Sequence, residues 1–397
     1  MTRFKTMISC HLGALTMSVC VVLTLWLAQA TANERKPGTT PGVNVPMTQD
    51  RWRTDGNVEF LAGGILRIND GQAALGGLSF GDGSIAFDLK PIGEDMPGIG
   101  FRQGADGAAE IFYLRTQPHC DVAYDCVQYT PQAHGILMWD IYPEYQGPAP
   151  VKENGWNHVK LLVSGQKLRA FVNGAAVLSV DHLAGDLRQG GLSLRAPALF
   201  ANLVVTPGVD QAAFASPAPD ATDTAPGLVR AWQVSTASVL PDGHTPLQGE
   251  MPGAAARWSG IDAERFGLVN LSRRFGGVAE RGAAAVAWLK TTIVSDRDRT
   301  VPVSLGWTRD VWVFANGSPV FADKNLYYPS ASRKRPDGTL SLLNGSFDLP
   351  LHKGKNMIEV ALSNRFPGSV GHWGWGLEMR LDAPAGITLP AQAKGVP

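Results

Sequence analysis

An all-β fold of two β-sandwich (jelly-roll) domains joined by a Pro/Ala-rich linker is what this sequence predicts, and three observations carry the prediction. Short runs of β-branched and aromatic residues recur between Gly, Pro, Asn and Asp turn signals, without the longer helical stretches that βαβ units need. The runs keep a period of two: in "SIAFDLK" Ile85, Phe87 and Leu89 point one way, and Ala86, Asp88 and Lys90 the other. Nearly the same octamer is written twice, "FVNGAAVL" at residues 171–178 and "FANGSPVF" at residues 314–321. Asn-Gly tolerates positive φ at both central positions of a type I′ turn, so Asn173-Gly174 and Asn316-Gly317 each predict a tight hairpin. The surrounding sequences are dissimilar, so no internal duplication is inferred.

The chain has 397 residues, more than one hydrophobic core usually covers. Residues 1–32 read as a secretory signal: Arg3 and Lys5 precede an apolar stretch from Leu12 to Ala28, "ATA" offers small residues for cleavage, and the first acidic residue is Glu34. An uncleaved membrane anchor is the alternative, because the apolar run approaches spanning length. Neither Cys10 nor Cys20 follows a lipoprotein-type run of small residues. Without Arg3 and Lys5 the 35 basic residues become 33 against 35 acidic ones, a net charge of −2. That balance gives no electrostatic case for nucleic acid, and after signal cleavage none for a membrane surface. The expected location is the periplasm or the secreted fraction, where Cys120 and Cys126 in "CDVAYDC" are expected to pair. Two free thiols in a loop are the alternative.

Taken in order, residues 33–50 read as a flexible leader, residues 51–208 as the first sandwich and residues 209–227, rich in Ala, Pro, Asp and Thr, as the linker. Residues 228–389 read as the second sandwich and residues 390–397 as a tail. Strands of the first are expected at "GSIAFDLK", "GIGFR", "AEIFYLR", "VQYT", "GILMWDIY", "HVKLLVSG", "KLRAFVNG", "AVLSV" and "LFANLVVT". Strands of the second are expected at "AWLKTTIVS", "VPVSLGW", "VWVFANG", "SPVFA", "GSFDLP", "NMIEVALSN" and "GWGLEMRL". "GAAAVAWLK" has helical propensity, but its neighbours favour a strand.

The phrases "GSIAFDLK", "GIGFR", "EIFYLR", "VQY", "WNHVKLLVSGQKLRAFVNG" and "GGLSLRAPALFANLVV" follow one another in a way that resembles concanavalin A-like lectin/glucanase domains. That group includes laminin G-like modules and the domain associated with hydrolysis of 3-keto-disaccharides. From about residue 228 to 389, "VPVSLGWTRDVWVFANGSPVF" and "HKGKNMIEVALSN" resemble galactose-binding-domain-like modules, the sugar-binding arms of glycosidases. The resemblances imply sandwiches and a carbohydrate ligand, and speak for fold more than for activity.

Catalytic signatures are sparse. Glucanases of the first group place carboxylates at alternate positions of one strand to flank a glycosidic bond at about 5 Å. That Glu-x-Asp-x-x-Glu spacing is absent: Glu94 and Asp95 are adjacent, Pro143 separates Asp140 from Glu144, and Asp262/Glu264 and Asp296/Asp298 fall in turn-like, charged surroundings that read as solvated surface. No Gly-x-Ser-x-Gly, phosphate loop or His-Glu-x-x-His occurs. His119, His134, His158 and His182 lack ligand spacing, so no metal site and no cofactor is expected, although calcium is common in such sandwiches.

What remains suits sugars, whose rings stack on aromatic planes and whose hydroxyls take polar groups. The candidate carbohydrate-binding residues are Arg102, Tyr113, Arg115, Gln128, Asp140 and Tyr142 on strands of one concave sheet of the first sandwich, where alternation puts Tyr113 with Arg115 and Asp140 with Tyr142 on shared faces, and Trp373 and Trp375 at i, i+2 in "GHWGWG". The competing reading makes Tyr113, Tyr142 and the two tryptophans packing residues and the charged groups surface pairs. Arg333, Lys334 and Arg335 read as a solvated charge run. The leading expectation is an exported carbohydrate-binding protein, accessory to polysaccharide handling, with a carbohydrate or glycoconjugate as its partner. Two others stand beside it: a glycoside-acting hydrolase using Asp140 or Glu110, and an adhesion module recognising protein.

Overall fold

The computed structural model describes residues 41–93, 95–208, 219–277, 284–365 and 373–392. The expected signal segment at residues 1–32 lies outside them, as do residues 209–218 of the linker and residues 393–397 of the tail.

Two antiparallel sheets form the first sandwich. One runs, in spatial order, Ala175–Val180, Lys167–Val172, Asn157–Ser164, Gly83–Pro91, Ala198–Pro207, Ile65–Ile68 and Val58–Leu61. The other runs Ile136–Leu137, Val127–Ala133, Ala109–Leu114, Gly98–Gln103, Gly191–Arg195, Gln72–Leu75 and Trp52–Asp55. The alternation read in "SIAFDLK" is realised: Ile85, Phe87 and Leu89 are buried and face Phe101, Phe112 and Leu194 in one core. The second sandwich pairs Trp258–Asp262, Ala231–Ser235, Ala284–Ser295, Gly354–Ser363, Arg309–Ala315 and Ser318–Asn325 in one sheet. Its other sheet holds Val269–Asn270, Gly376–Leu381, Arg299–Trp307 and Gly345–Leu351. Trp307, Leu305, Val313, Val360 and Leu377 fill the space between. "GAAAVAWLK" contributes to a strand, Ala284–Ser295, as its neighbours require.

Both Asn-Gly pairs form the expected hairpins, with φ of 51° and 84° at Asn173 and Gly174 and 51° and 82° at Asn316 and Gly317. The likeness goes further than the octamers. Asn173 accepts from His158 N at 3.0 Å and donates to Asn157 Oδ1 at 2.9 Å. Asn316 accepts from Met357 N and donates to Asn356 Oδ1, both at 2.9 Å. Each second asparagine is fully buried and ties the loop before its strand. Asn157 donates to Lys152 O and Gly155 O, and Asn356 to His352 O and Gly354 O. A β-bulge interrupts both hairpins at equivalent steps, 170/171 and 313/314.

Three expectations are corrected. Within the segment read as a flexible leader, Val43–Asn44 pair with Ala198–Pro207 and Val45 and Met47 are buried, because their apolar side chains close the end of the first core. Within the segment read as linker, the buried Asp220 accepts from the backbone of Thr222 and Phe266 and docks residues 219–227 on the second sandwich. "GILMWDIY" is a strand only at Ile136–Leu137. The chain then turns, with Ile141 N donating to Met138 O at 3.2 Å, so Asp140 and Tyr142 do not share a strand face. Among the described residues no helix is long and apolar enough to cross a membrane.

Candidate functional site

The sheet of the first sandwich that contains Ala109–Leu114 has one face on the core and the other turned away from it. Phe112 and Leu114 belong to the core, so alternation sends Ile111 and Tyr113 to the outer face. Arg195, ending the strand Gly191–Arg195, joins them and donates to Gln132 Oε1 at 2.9 Å. Burial lowers the Arg195 pKa from its ordinary value. Trp139, turned over this face, meets Tyr327 and Trp373 of the second sandwich edge to face, with ring centroids 5.0 and 6.1 Å apart. Between this aromatic cluster and Arg195 lies a groove of about 410 Å³, lined by Ile111, Tyr113 and Met96, by the half-buried Trp373, and by Asp70 at its polar end. The groove is composite: the floor comes from the first sandwich, the indole from the second.

The eight candidates are not brought together. Tyr113 and Trp373 line this groove; the other six are held elsewhere. Arg102 is a correction: its φ of 50° breaks the alternation, and its buried guanidinium donates to Gly81 O, Asp82 Oδ1 and Gly165 O. Arg115 and Gln128 are tied up with Tyr113. Arg115 Nη2 donates to Gln128 Oε1 at 2.6 Å and to the Tyr113 hydroxyl at 3.0 Å, while the buried Gln128 donates to Trp139 O at 2.7 Å. The network holds the turn under Trp139 in place and leaves Gln128 no solvent contact. Tyr113 therefore offers the groove its ring, its hydroxyl being spent on Gln128.

Asp140, Tyr142 and Trp375 are corrected by the junction of the two sandwiches. Asp140 is wholly buried, accepting from Arg309 Nη2 at 2.6 Å and from Gly374 N at 2.8 Å. Burial raises its pKa and Arg309 opposes the shift. A Cβ at position 374 would stand 2.3 Å from Asp140 Oδ1, which explains the glycine between the two tryptophans. Trp375 turns into the second core beside Phe275, so it and Trp373 form no common platform. The Tyr142 hydroxyl donates to Glu264 Oε2 and accepts from Asn270 Nδ2 at 3.1 Å. Arg273 completes the clamp, reaching Glu264 at 2.7 Å, Asp186 at 2.5 Å and Ala184 O at 2.6 Å. Glu110, the other carboxylate considered for catalysis, is also buried, bonded to the Tyr129 hydroxyl and Gly185 N; burial pushes it up to about 7.

Beside this clamp a cleft of about 600 Å³ opens between the sandwiches, lined among others by Glu144, Tyr145, His182, Arg188, Glu264 and Arg265. The Glu144 side chain reaches solvent there, yet the surrounding protein limits its hydration and pushes its carboxyl up to about 7. Glu378 on Gly376–Leu381 is pushed up to about 8 by burial and by the Glu144 charge. Burial first, then Arg265, lower the His182 pKa. Among the described residues no group of acidic, His or Cys side chains is arranged to hold a metal. Sequence reasoning missed Arg195, Glu144 and Glu264. Arg195 could have been found from the alternation of "GGLSLR"; Glu264, dismissed as solvated surface, is a partner of Tyr142 122 residues away and leaves no local signal.

Cys120 and Cys126 form the expected disulfide, with Cα atoms 5.3 Å apart. The sequence matches no protein-family model and none of the curated proteins. Among solved structures, part of the chain is similar to a carbohydrate-binding module of family 66 from Bacillus subtilis, at 17% identity over 38% of this chain and 92% of that one, with a TM-score of 0.31. It is similar to a β-1,3-1,4-glucanase (lichenase) from a mouse hindgut metagenome at 12% identity over 42% of this chain and 99% of that one, TM-score 0.34. A protein of unknown function with a galectin-like fold from Bacillus subtilis gives 14% identity over 43% and 97%, TM-score 0.33. Identities this low leave the chemistry of the groove to be argued from its own residues.

Proposed function

We propose that this chain is an exported carbohydrate-binding protein whose saccharide site is the groove between Ile111, Arg195 and Trp373. The observation that carries the reading is the half-buried Trp373 indole, held edge-on by Trp139, beside a guanidinium and a carboxylate in one groove of sugar size. An indole face takes the apolar face of a pyranose, while Arg195 and Asp70 take hydroxyls. In this reading residues 1–32 are a cleaved signal, the disulfide suits an oxidising compartment, the first sandwich is a concanavalin A-like module and the second a galactose-binding-like module. A glycan array with the mature chain, repeated with Trp373→Ala and Arg195→Ala, tests it. Wild-type binding that falls at least tenfold in both variants supports the site; a folded wild type that retains no glycan rejects it.

A glycoside-acting hydrolase is the second reading, and the cleft between the sandwiches favours it. There Glu144, with its carboxyl pushed up to about 7, is suited to hold a proton for a departing glycosidic oxygen, and Glu264 stands in the same cleft. Turnover of a 3-keto-disaccharide that disappears in Glu144→Gln and persists in Trp373→Ala would favour this reading over the first.

A further inference from the structure

The outer face of the second sandwich has a cleft of its own. Trp312 lies on Arg309–Ala315, where alternation and the buried Val311 and Val313 send it outward, and its cross-strand neighbours are the small Ala322 and Ala361. On its inner side the ring packs against an aromatic and aliphatic cluster that includes Trp288 and Phe314. On the other side the exposed Ala322 leaves it half-buried in a cleft of about 410 Å³, whose far wall is residues 331–334. The charged side chains lining that cleft are Lys324, Arg333 and Lys334 against the single carboxylate of Asp323, a surplus of two positive charges.

The pairing inside the cleft leaves part of this surplus in place, since Asp310, opposite Lys324 across the strands, offsets some of its charge. Lys334 meets Asp323 at 2.6 Å. Arg333 donates through Nε to Tyr327 O and lies over the Tyr327 ring at 4.0 Å, so its fork is held rigid while, among the described residues, no hydrogen bond uses its terminal nitrogens. Lys324 has no salt-bridge partner among the described residues, and the buried Asp310 opposite it across the strands is shared with Arg365 at 4.0 Å. A half-exposed indole rimmed by a held guanidinium, a paired lysine and an exposed lysine matches a sugar ring that bears a carboxylate or a sulfate: the ring stacks, the anion is held by guanidinium and ammonium groups. The chain carries no net charge, which argues against nucleic acid as the anionic partner.

We propose that the Trp312 cleft is a second binding site, distinct from the groove at Trp373, and that it takes an anionic saccharide. The test is affinity electrophoresis of the full chain through gels containing polygalacturonate, dextran sulfate or neutral dextran, with a single-stranded oligonucleotide as competitor. Either acidic polymer, but not dextran, should retard the protein; which one does identifies carboxylate or sulfate as the anion. The retardation should weaken as salt rises. Lys324→Gln combined with Lys334→Gln replaces one exposed lysine and one half-buried lysine paired with Asp323, and should raise the apparent Kd at least tenfold while the Tm falls by no more than a surface ion pair is worth. Trp312→Ala should raise the Kd likewise if its Tm shows it folded. Trp373→Ala should leave it unchanged, which separates this site from the groove. Equal retardation by dextran, insensitivity to the double lysine substitution, or displacement by the oligonucleotide at lower concentration than by either acidic polymer would each overturn the proposal.

Discussion

The hairpin corners at Asn173 and Asn316 are the same object built in opposite chain order. In the first sandwich the strand bearing the buried asparagine, Asn157–Ser164, precedes its hairpin; in the second, Gly354–Ser363 follows it. Asn-Gly turn, bulge, asparagine-to-asparagine bond and loop tie nonetheless recur at equivalent places. The corner is thus a local solution that hydrogen-bond geometry selects whichever way the chain enters it. At the far ends of the hairpin strands the likeness stops. Lys167 opens from a solvent-facing turn, whereas Arg309, with φ of 76°, crosses to Asp140 of the first sandwich. The conserved geometry stabilises; the divergent end joins the halves.

The sharpest way to break this comparison is at the divergent end. Asp140→Ala removes the buried carboxylate that pairs with Arg309 and accepts from Gly374 N, and should cost about 3–5 kcal/mol in urea unfolding, because breaking a buried ion pair from one side costs far more than the pair contributes. Asp140→Ala together with Arg309→Met should recover much of that loss. Next come the two corners. Asn157→Ala and Asn356→Ala each remove a buried amide that satisfies loop backbone groups, and each should cost about 2–3 kcal/mol. Equal losses would confirm the corners as equivalent; a difference above 1.5 kcal/mol, larger than about one ordinary hydrogen bond, would show that chain order matters.

The junction supplies a smaller effect with a definite sign. Glu144 and Glu378 keep their protons to about pH 7 and 8 in the folded protein, while the unfolded chain releases them near ordinary carboxyl values. The folded state then binds more protons between those limits, so stability falls as pH rises from 5 to 8.5. The loss should be roughly 1–2 kcal/mol once solvent screening is allowed for, read as a lower Tm, and Glu378→Gln should flatten the profile. The smallest effect belongs to the turns. Gly174→Ala and Gly317→Ala place a Cβ at positive φ with no neighbour nearer than 3.9 Å, and each should cost about 1 kcal/mol by thermal melting.

Strands and hairpins were legible in the sequence because their signals are local: Ile85, Phe87 and Leu89 alternate within one strand, and Asn-Gly states its own turn. The candidate site was less so. Alternation failed where the backbone left the pleat, at the positive φ of Arg102 and in the turn at residues 138–142 that takes Asp140 off the strand to meet Arg309. Trp373 was recognised for its residue type, but its position over the first sandwich depends on Asp140, Arg309 and Gly374, which lie up to 234 residues apart and have no periodicity to betray them.

The shared ownership of the groove has a practical corollary. Cut out by itself, the first half would present Trp139, Ile111 and the ring of Tyr113 to water as a bare adhesive plate, inviting aggregation where the intact molecule has a shaped receptacle. Anyone wishing to move this groove intact into another polypeptide should therefore carry both halves as one cassette.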